Sequence, residues 1–144
     1  MRQFRILLAL ALALGIGGSA WAASSPTIVM PGQVKWQPQP GNFSMAVLYG
    51  NPEKPGYYVM RLKLPPNWTF GAHYHPDQEN VTVISGTFYA GLGSKMDKSK
   101  VTAFPAGSFV AMPANVRHYA LTKSDGAVIQ IDGQGPSKDI FVKM

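Results

Sequence analysis

No cysteine occurs in the 144 residues, so disulfides, thiolate nucleophiles and soft thiolate metal sites are all excluded. Any ion held by this chain must be bound through nitrogen and oxygen. Glutamate appears only at Glu53 and Glu79, and histidine only at His73, His75 and His118, which leaves few ways to assemble a titratable site. After residue 22 no apolar run reaches the roughly 20 residues needed to cross a bilayer as a helix. Sustained helical periodicity is also missing, which argues against a helical bundle or a helical repeat. The formal charge is +6, but the basic residues are scattered instead of gathered into a stripe. Lys95, Lys98 and Lys100 read as a solvated loop, and nucleic acid is not an expected partner.

The chain opens MRQFRILLALALALGIGGSAWAA. Arg2 and Arg5 precede an apolar run from Ile6 to about Ile16, small residues follow, and Ala20-Trp21-Ala22 forms an A-x-A cleavage pattern. Residues 1–22 are therefore expected to be a secretory signal peptide, leaving no stable membrane anchor and an exported protein, periplasmic or extracellular. Residues 23–144 then form one domain, long enough to bury a genuine core. Without Arg2 and Arg5, 11 basic residues face 7 acidic ones, a net charge of +4.

Proline, glycine and asparagine punctuate the region 26–55, and its short apolar runs at 27–30, 34–36 and 43–49 read as strands. In YYVMRLKL (57–64) apolar residues alternate with Arg61 and Lys63, the pattern of a half-buried strand ended by Pro65-Pro66-Asn67. Further strands are expected at 101–104, 108–112 and 116–122. TFYAGLG after Gly86 reads as the return strand of a hairpin, and Asp125-Gly126 as a tight hairpin turn between 118–122 and 127–131. Many short strands at close spacing predict an all-β sandwich or barrel. Tyr58, Phe70, Phe88 and Phe109 are assigned to core packing, and Tyr58, Met60, Val81 and Gln130 to a pocket wall.

The stretch TFGAHYHPDQENVTVISG (69–86) carries the chemistry. It contains H-x-H-x-x-x-E: His73 and His75 project from one face of an extended strand with Tyr74 opposite, and the Pro76-Asp77 break turns the chain so that Glu79 can return to the same point. His118 sits in another strand-like run about forty residues on. The plainer alternative is two histidines on a half-exposed strand beside a solvated glutamate.

The flanking residues tip the reading toward a metal. The stretch resembles the first motif of the cupin superfamily, in which two His and a Glu bind a metal inside a small β-barrel and a glycine, here Gly86, closes the next turn. Asn67 stands where that motif's leading glycine would be. In GSFVAMPANVRHYALT, Gly107, Pro113 and His118 match the second motif's intervals, while Asn115 replaces its second glycine and Thr122 its asparagine. The resemblance implies a double-stranded β-helix, a jelly-roll β-barrel, with His73, His75, Glu79 and His118 binding one divalent transition metal ion: Fe, Mn, Ni, Co, Cu or Zn.

Three imidazoles and one carboxylate leave open positions on such an ion. One carboxylate also leaves the site net positive, which favours anionic ligands. The family resemblance implies a metal-dependent enzyme acting on a small molecule, with dioxygenase-type chemistry first and an isomerase or lyase as a variant. Two other classes are carried beside it: a non-catalytic metal- or ligand-binding module, and a structural or carbohydrate-binding jelly roll without metal. No general acid or base besides the ligands stands out, Asp77 and Glu53 reading as turn residues. A homodimer pairing through residues 27–36 is a further expectation.

Overall fold

The computed structural model describes residues 25–143; the expected signal peptide at 1–22 lies outside them. Ten strands follow one 3-10 turn (Pro31–Gln33): β1 (Gln37–Gln39), β2 (Phe43–Tyr49), β3 (Gly56–Leu64), β4 (Thr69–Tyr74), β5 (Glu79–Leu92), β6 (Thr102–Pro105), β7 (Phe109–Met112), β8 (His118–Leu121), β9 (Ala127–Gly135) and β10 (Ile140–Phe141). All pairings are antiparallel. One sheet runs β1-β2-β3-β9-β5-β7 and the other β6-β5-β8-β4-β10, so β5 belongs to both. The all-β double-stranded β-helix expected from the sequence is the observed fold.

β5 joins the two sheets without turning back. Residues 79–86 pair with β9, and residues 87–92 pair with β6 and β8. The hairpin expected at Gly86 is therefore a bend inside one 14-residue strand. Gly86 has φ +70, a left-handed conformation that costs glycine little, and a Cβ there would run into the Gly126 carbonyl. The register slips between Val83 and Ser85, a bulge that helps the strand change sheets.

Register explains the core. Met60, Ile131 and Val81 form one cross-strand row over β3, β9 and β5, and Leu62, Ile129 and Val83 form the next. These apolar rows face Trp68, Phe88, Ala90 and Ala120 across the interior. The intervening row points outward, where Arg61 Nε donates to Gln130 Oε1 at 3.1 Å. Gln130 is therefore not a pocket wall, since its parity is that of Arg61. Phe109 is likewise 62 % exposed, because Val110 and Met112 take the inward positions of β7.

Two other expectations are corrected. Residues 27–36 form no strand ladder: Pro31-Gly32 breaks the segment into a 3-10 turn, Ile28 is exposed, and pairing begins only at Gln37. The turn at Asp125-Gly126 forms, with Gly126 at φ +65, but its flanking strands do not pair. β8 goes to β4 and β5, and β9 goes to β3 and β5. A local turn signal fixes a reversal of direction without choosing the partner of either strand.

Candidate metal centre

His73 and His118 are directly opposed in the β4–β8 ladder, and His75 lies one step beyond the end of β4. Between Phe70 and His73 the register shifts, with one extra residue on β4. That bulge lets Phe70 and His73 both face the interior although they are an odd number of residues apart. Glu79 begins β5 in the other sheet. The donors thus come from both sheets.

The three histidines are buried, at 4 %, 8 % and 4 % exposure for His73, His75 and His118, which dismisses the half-exposed-strand reading. Each offers a ring nitrogen within 4.8 Å of the others'. Donors about 2.1 Å from one ion stand roughly 3–4.2 Å apart, so a small contraction closes the group. Glu79 Oε2 lies 3.5 Å from His75 Nε2 and 3.9 Å from His118 Nε2.

The outer nitrogens are all engaged. His73 Nδ1 is 2.8 Å from the Gly71 carbonyl, His118 Nδ1 is 2.9 Å from that of Val116, and His75 Nδ1 is 3.1 Å from that of Lys138. A carbonyl can only accept, so it sets Nδ1 as the protonated nitrogen and leaves Nε2 free to donate a lone pair inward. His75 Nε2 is buried and makes no well-formed hydrogen bond, its contact with Glu79 Oε2 at 3.5 Å being long. In the metal-free ring a proton held toward Glu79 meets this atom at long range, and a cation at the shared centre would take that proton's place. The three histidines therefore fit a metal ion.

Asp139 was not legible as a site residue. Its Oδ1 is 3.2 Å from His75 Nδ1, and together with Ser137 it lines the mouth of the cavity. The Asp139 side chain is 47 % exposed. β10 places it there by pairing with β4, with Ile140 opposite Tyr74 and Phe141 opposite His73. The hydrogen bond from His75 holds the Asp139 carboxyl below the usual carboxylate range. Burial pulls His75 down, but the carboxylates of Asp139 and Glu79 more than reverse this and push it up to about 10. His73 is lowered to about 4, chiefly by burial and then by the neighbouring histidines, against the raising effect of the Gly71 carbonyl.

Beside the histidines the barrel interior holds a cavity of about 140 Å³, walled by residues including Met60, Trp68, Phe70, Val81, Val110 and Ile131. Met60 and Val81 are wall residues as expected. Tyr58 instead lines a small recess on the far side of His75 and Glu79. A wider surface depression bounded by Pro38, Asn42, Lys63 and Pro66 contains no histidine and lies at the other end of the β3–β9–β5 register.

Such a barrel, with inward His73 and His118 on one sheet, His75 just past the end of β4 and a glutamate from the other sheet, has the form of the cupin class. The model of the ChrR cupin-like domain matches residues 24–137, and the chain belongs to that family. No curated protein matches it. Solved structures share the fold at low identity. The polyketide cyclase RemF from Streptomyces resistomycificus is 16 % identical with a TM-score of 0.69, covering 83 % of this chain and 87 % of that one. A proposed acetylacetone dioxygenase from Methylibium petroleiphilum PM1 is 22 % identical with a TM-score of 0.63, covering 83 % of each chain. An RmlC-like cupin from Shewanella frigidimarina NCIMB 400 is 17 % identical with a TM-score of 0.61, covering 77 % of this chain and 93 % of that one.

Both asparagines that replace motif glycines adopt the left-handed backbone, Asn67 at φ 56 and Asn115 at φ 64. Asparagine is among the few residues that tolerate it. Thr122 likewise has a definite role: its hydroxyl donates to the Pro65 carbonyl and accepts from the Trp68 amide, tying β8 to the turn before β4.

Proposed function

We propose that His73, His75, Glu79 and His118 hold one divalent transition metal ion, and that this chain is an exported, metal-dependent enzyme acting on a small molecule in the barrel cavity. The convergence of the buried ring nitrogens carries the reading: His75 Nδ1 is engaged outward, while its Nε2 has only the long contact with Glu79 and lies with the other histidine donors around one centre. When bound, the ion would supply a Lewis-acid centre with positions open to water, dioxygen or a substrate oxygen. Around it, the carbonyls of Gly71, Val116 and Lys138 orient the imidazoles, and Glu79 contributes the one charge of the donor set. The apolar walls would hold the body of the substrate away from water. Asp139 places a carboxylate at the mouth that is outside the donor set and contacts His75 Nδ1.

Dioxygenase chemistry is the reaction we favour, by analogy with the proposed acetylacetone dioxygenase of the same fold, and the cyclase RemF marks the alternative. Elemental analysis of protein purified from its native compartment tests the first half: about one transition metal ion per chain is expected, and a folded protein without metal would refute the site. Dioxygen uptake with small diketones and catechols tests the second. Substrate turnover at an equal rate without dioxygen would rule out the dioxygenase and leave the metal site standing.

A further inference from the structure

The walls of the cavity specify its ligand more narrowly than the metal does. Trp68 and Phe70 stack with ring centroids 5.5 Å apart and planes 9° apart, and Trp68 Nε1 already donates to the Gly41 carbonyl at 2.9 Å. These rings therefore offer the interior only carbon. Met60, Val81, Val110 and Ile131 do the same from the opposite sheet. Polar atoms converge at one end only, where the histidines, Glu79, Ser137 and Asp139 lie.

Charge sharpens the choice. Among the described residues lining the cavity there is no lysine or arginine, while two carboxylates, Glu79 and Asp139, stand at its polar end. The expectation of an anionic ligand rested on Glu79 alone. With Asp139 added, the two carboxylates match the charge of a divalent ion, and a ligand carboxylate or phosphate would find no second cation. Size sets the remaining limit: the volume is about 140 Å³, and an apolar cavity of about 150 Å³ stays dry and accommodates benzene.

We propose that this cavity takes an uncharged molecule of single-ring size, with an apolar body among Trp68, Phe70, Met60 and Val81 and one oxygen-bearing end directed at the histidines. The proposal rests on the metal reading of the histidine cluster for its oxygen end, and on the cavity walls alone for its apolar body and its lack of charge.

Two isosteric probe pairs, titrated calorimetrically into the signal-free chain with and without Zn(II) or Fe(II), separate these parts. Toluene and phenol differ by a methyl against a hydroxyl, and benzamide and benzoate by charge. Toluene should bind equally with and without metal; its failure to bind either form would overturn the cavity claim. Phenol should bind at least tenfold tighter to the loaded protein. Equal phenol affinity in the two forms, with toluene still bound, would refute the metal reading and leave the apolar cavity intact. In the loaded protein benzamide should bind at least tenfold tighter than benzoate, and a preference for benzoate would overturn the uncharged-ligand claim while sparing the metal. Asp139→Asn should shrink that preference. Val81→Phe should abolish toluene binding with metal content and circular dichroism unchanged. If Val81→Phe does not fold, Val110→Phe at a less buried wall position serves the same purpose, and toluene binding to a folded filled variant would count against the site.

Discussion

Thr122 is 3 % exposed, and its side chain makes two hydrogen bonds to backbone groups that have no alternative partner among the described residues. The hydroxyl donates to Pro65 O at 2.6 Å and accepts from the Trp68 amide at 3.0 Å. Replacing Thr122 with Val keeps the shape and removes both bonds, stranding a buried amide and a part-buried carbonyl at ~1–3 kcal/mol each. Some relaxation toward water at the turn lowers the sum, so the expected cost is about 3 kcal/mol. For a domain of this size about 4 °C accompanies each kcal/mol, giving a fall in Tm of roughly 12 °C. Thr122→Ser keeps the hydroxyl and loses one methyl, so it should cost only about 1 kcal/mol. Thermal and urea melts followed by circular dichroism measure both variants. If Val melted within about 3 °C of the wild type, or if Ser cost more than Val, the hydroxyl would not be what ties the turn down.

Glu79→Ala should lose tight metal binding while remaining a folded β-protein, because the three imidazoles left behind can be neutral; Glu53→Ala, in an exposed turn, should change neither metal content nor melting. Asp139→Ala should weaken metal affinity about 10- to 100-fold through loss of its contact with His75 Nδ1, with Asp139→Asn intermediate, as read by competition with a chelator. The metal-free protein should be most stable near pH 6.5. His75, raised to about 10, contributes stability that is complete below about 6.5 and lost as pH climbs toward 10, whereas His73, lowered to about 4, costs stability as pH falls from about 6.5 toward 4. Loading with metal keeps the imidazoles neutral and should move that optimum to higher pH; an optimum that stayed put in urea melts would contradict the assignment.

Local pattern was enough for much of the site. Period-two alternation put His73 and His75 on one face, and the Pro76-Asp77 break returned Glu79 toward them. What escaped depended on pairing between distant segments. Asp139 reaches His75 only because β10 adds to β4, and nothing around GPSKDI distinguishes that aspartate from a turn residue. Phe109 and Gln130 were misplaced for a related reason: parity settles which residues share a face, but the neighbouring strand decides which face is inside. Gly86 illustrates a third kind of ambiguity, since the left-handed backbone that closes a hairpin also bends a continuous strand.

The division of the donors between sheets has a mechanical consequence. Glu79 is fixed in the ladder with β7 and β9, whereas His73 and His118 are fixed in the ladder with each other. Covalently, the two sheets are joined near this point by the Pro76-Asp77 loop, and along their length by β5. An ion held by both sets would act as a rivet across the mouth of the barrel, and breathing of one sheet against the other would change the span it has to bridge. Occupancy of the centre and the width of the opening beside Ser137 and Asp139 then become one variable, so a molecule that wedges the sheets apart loosens the ion, and the ion in turn resists whatever is too large to enter.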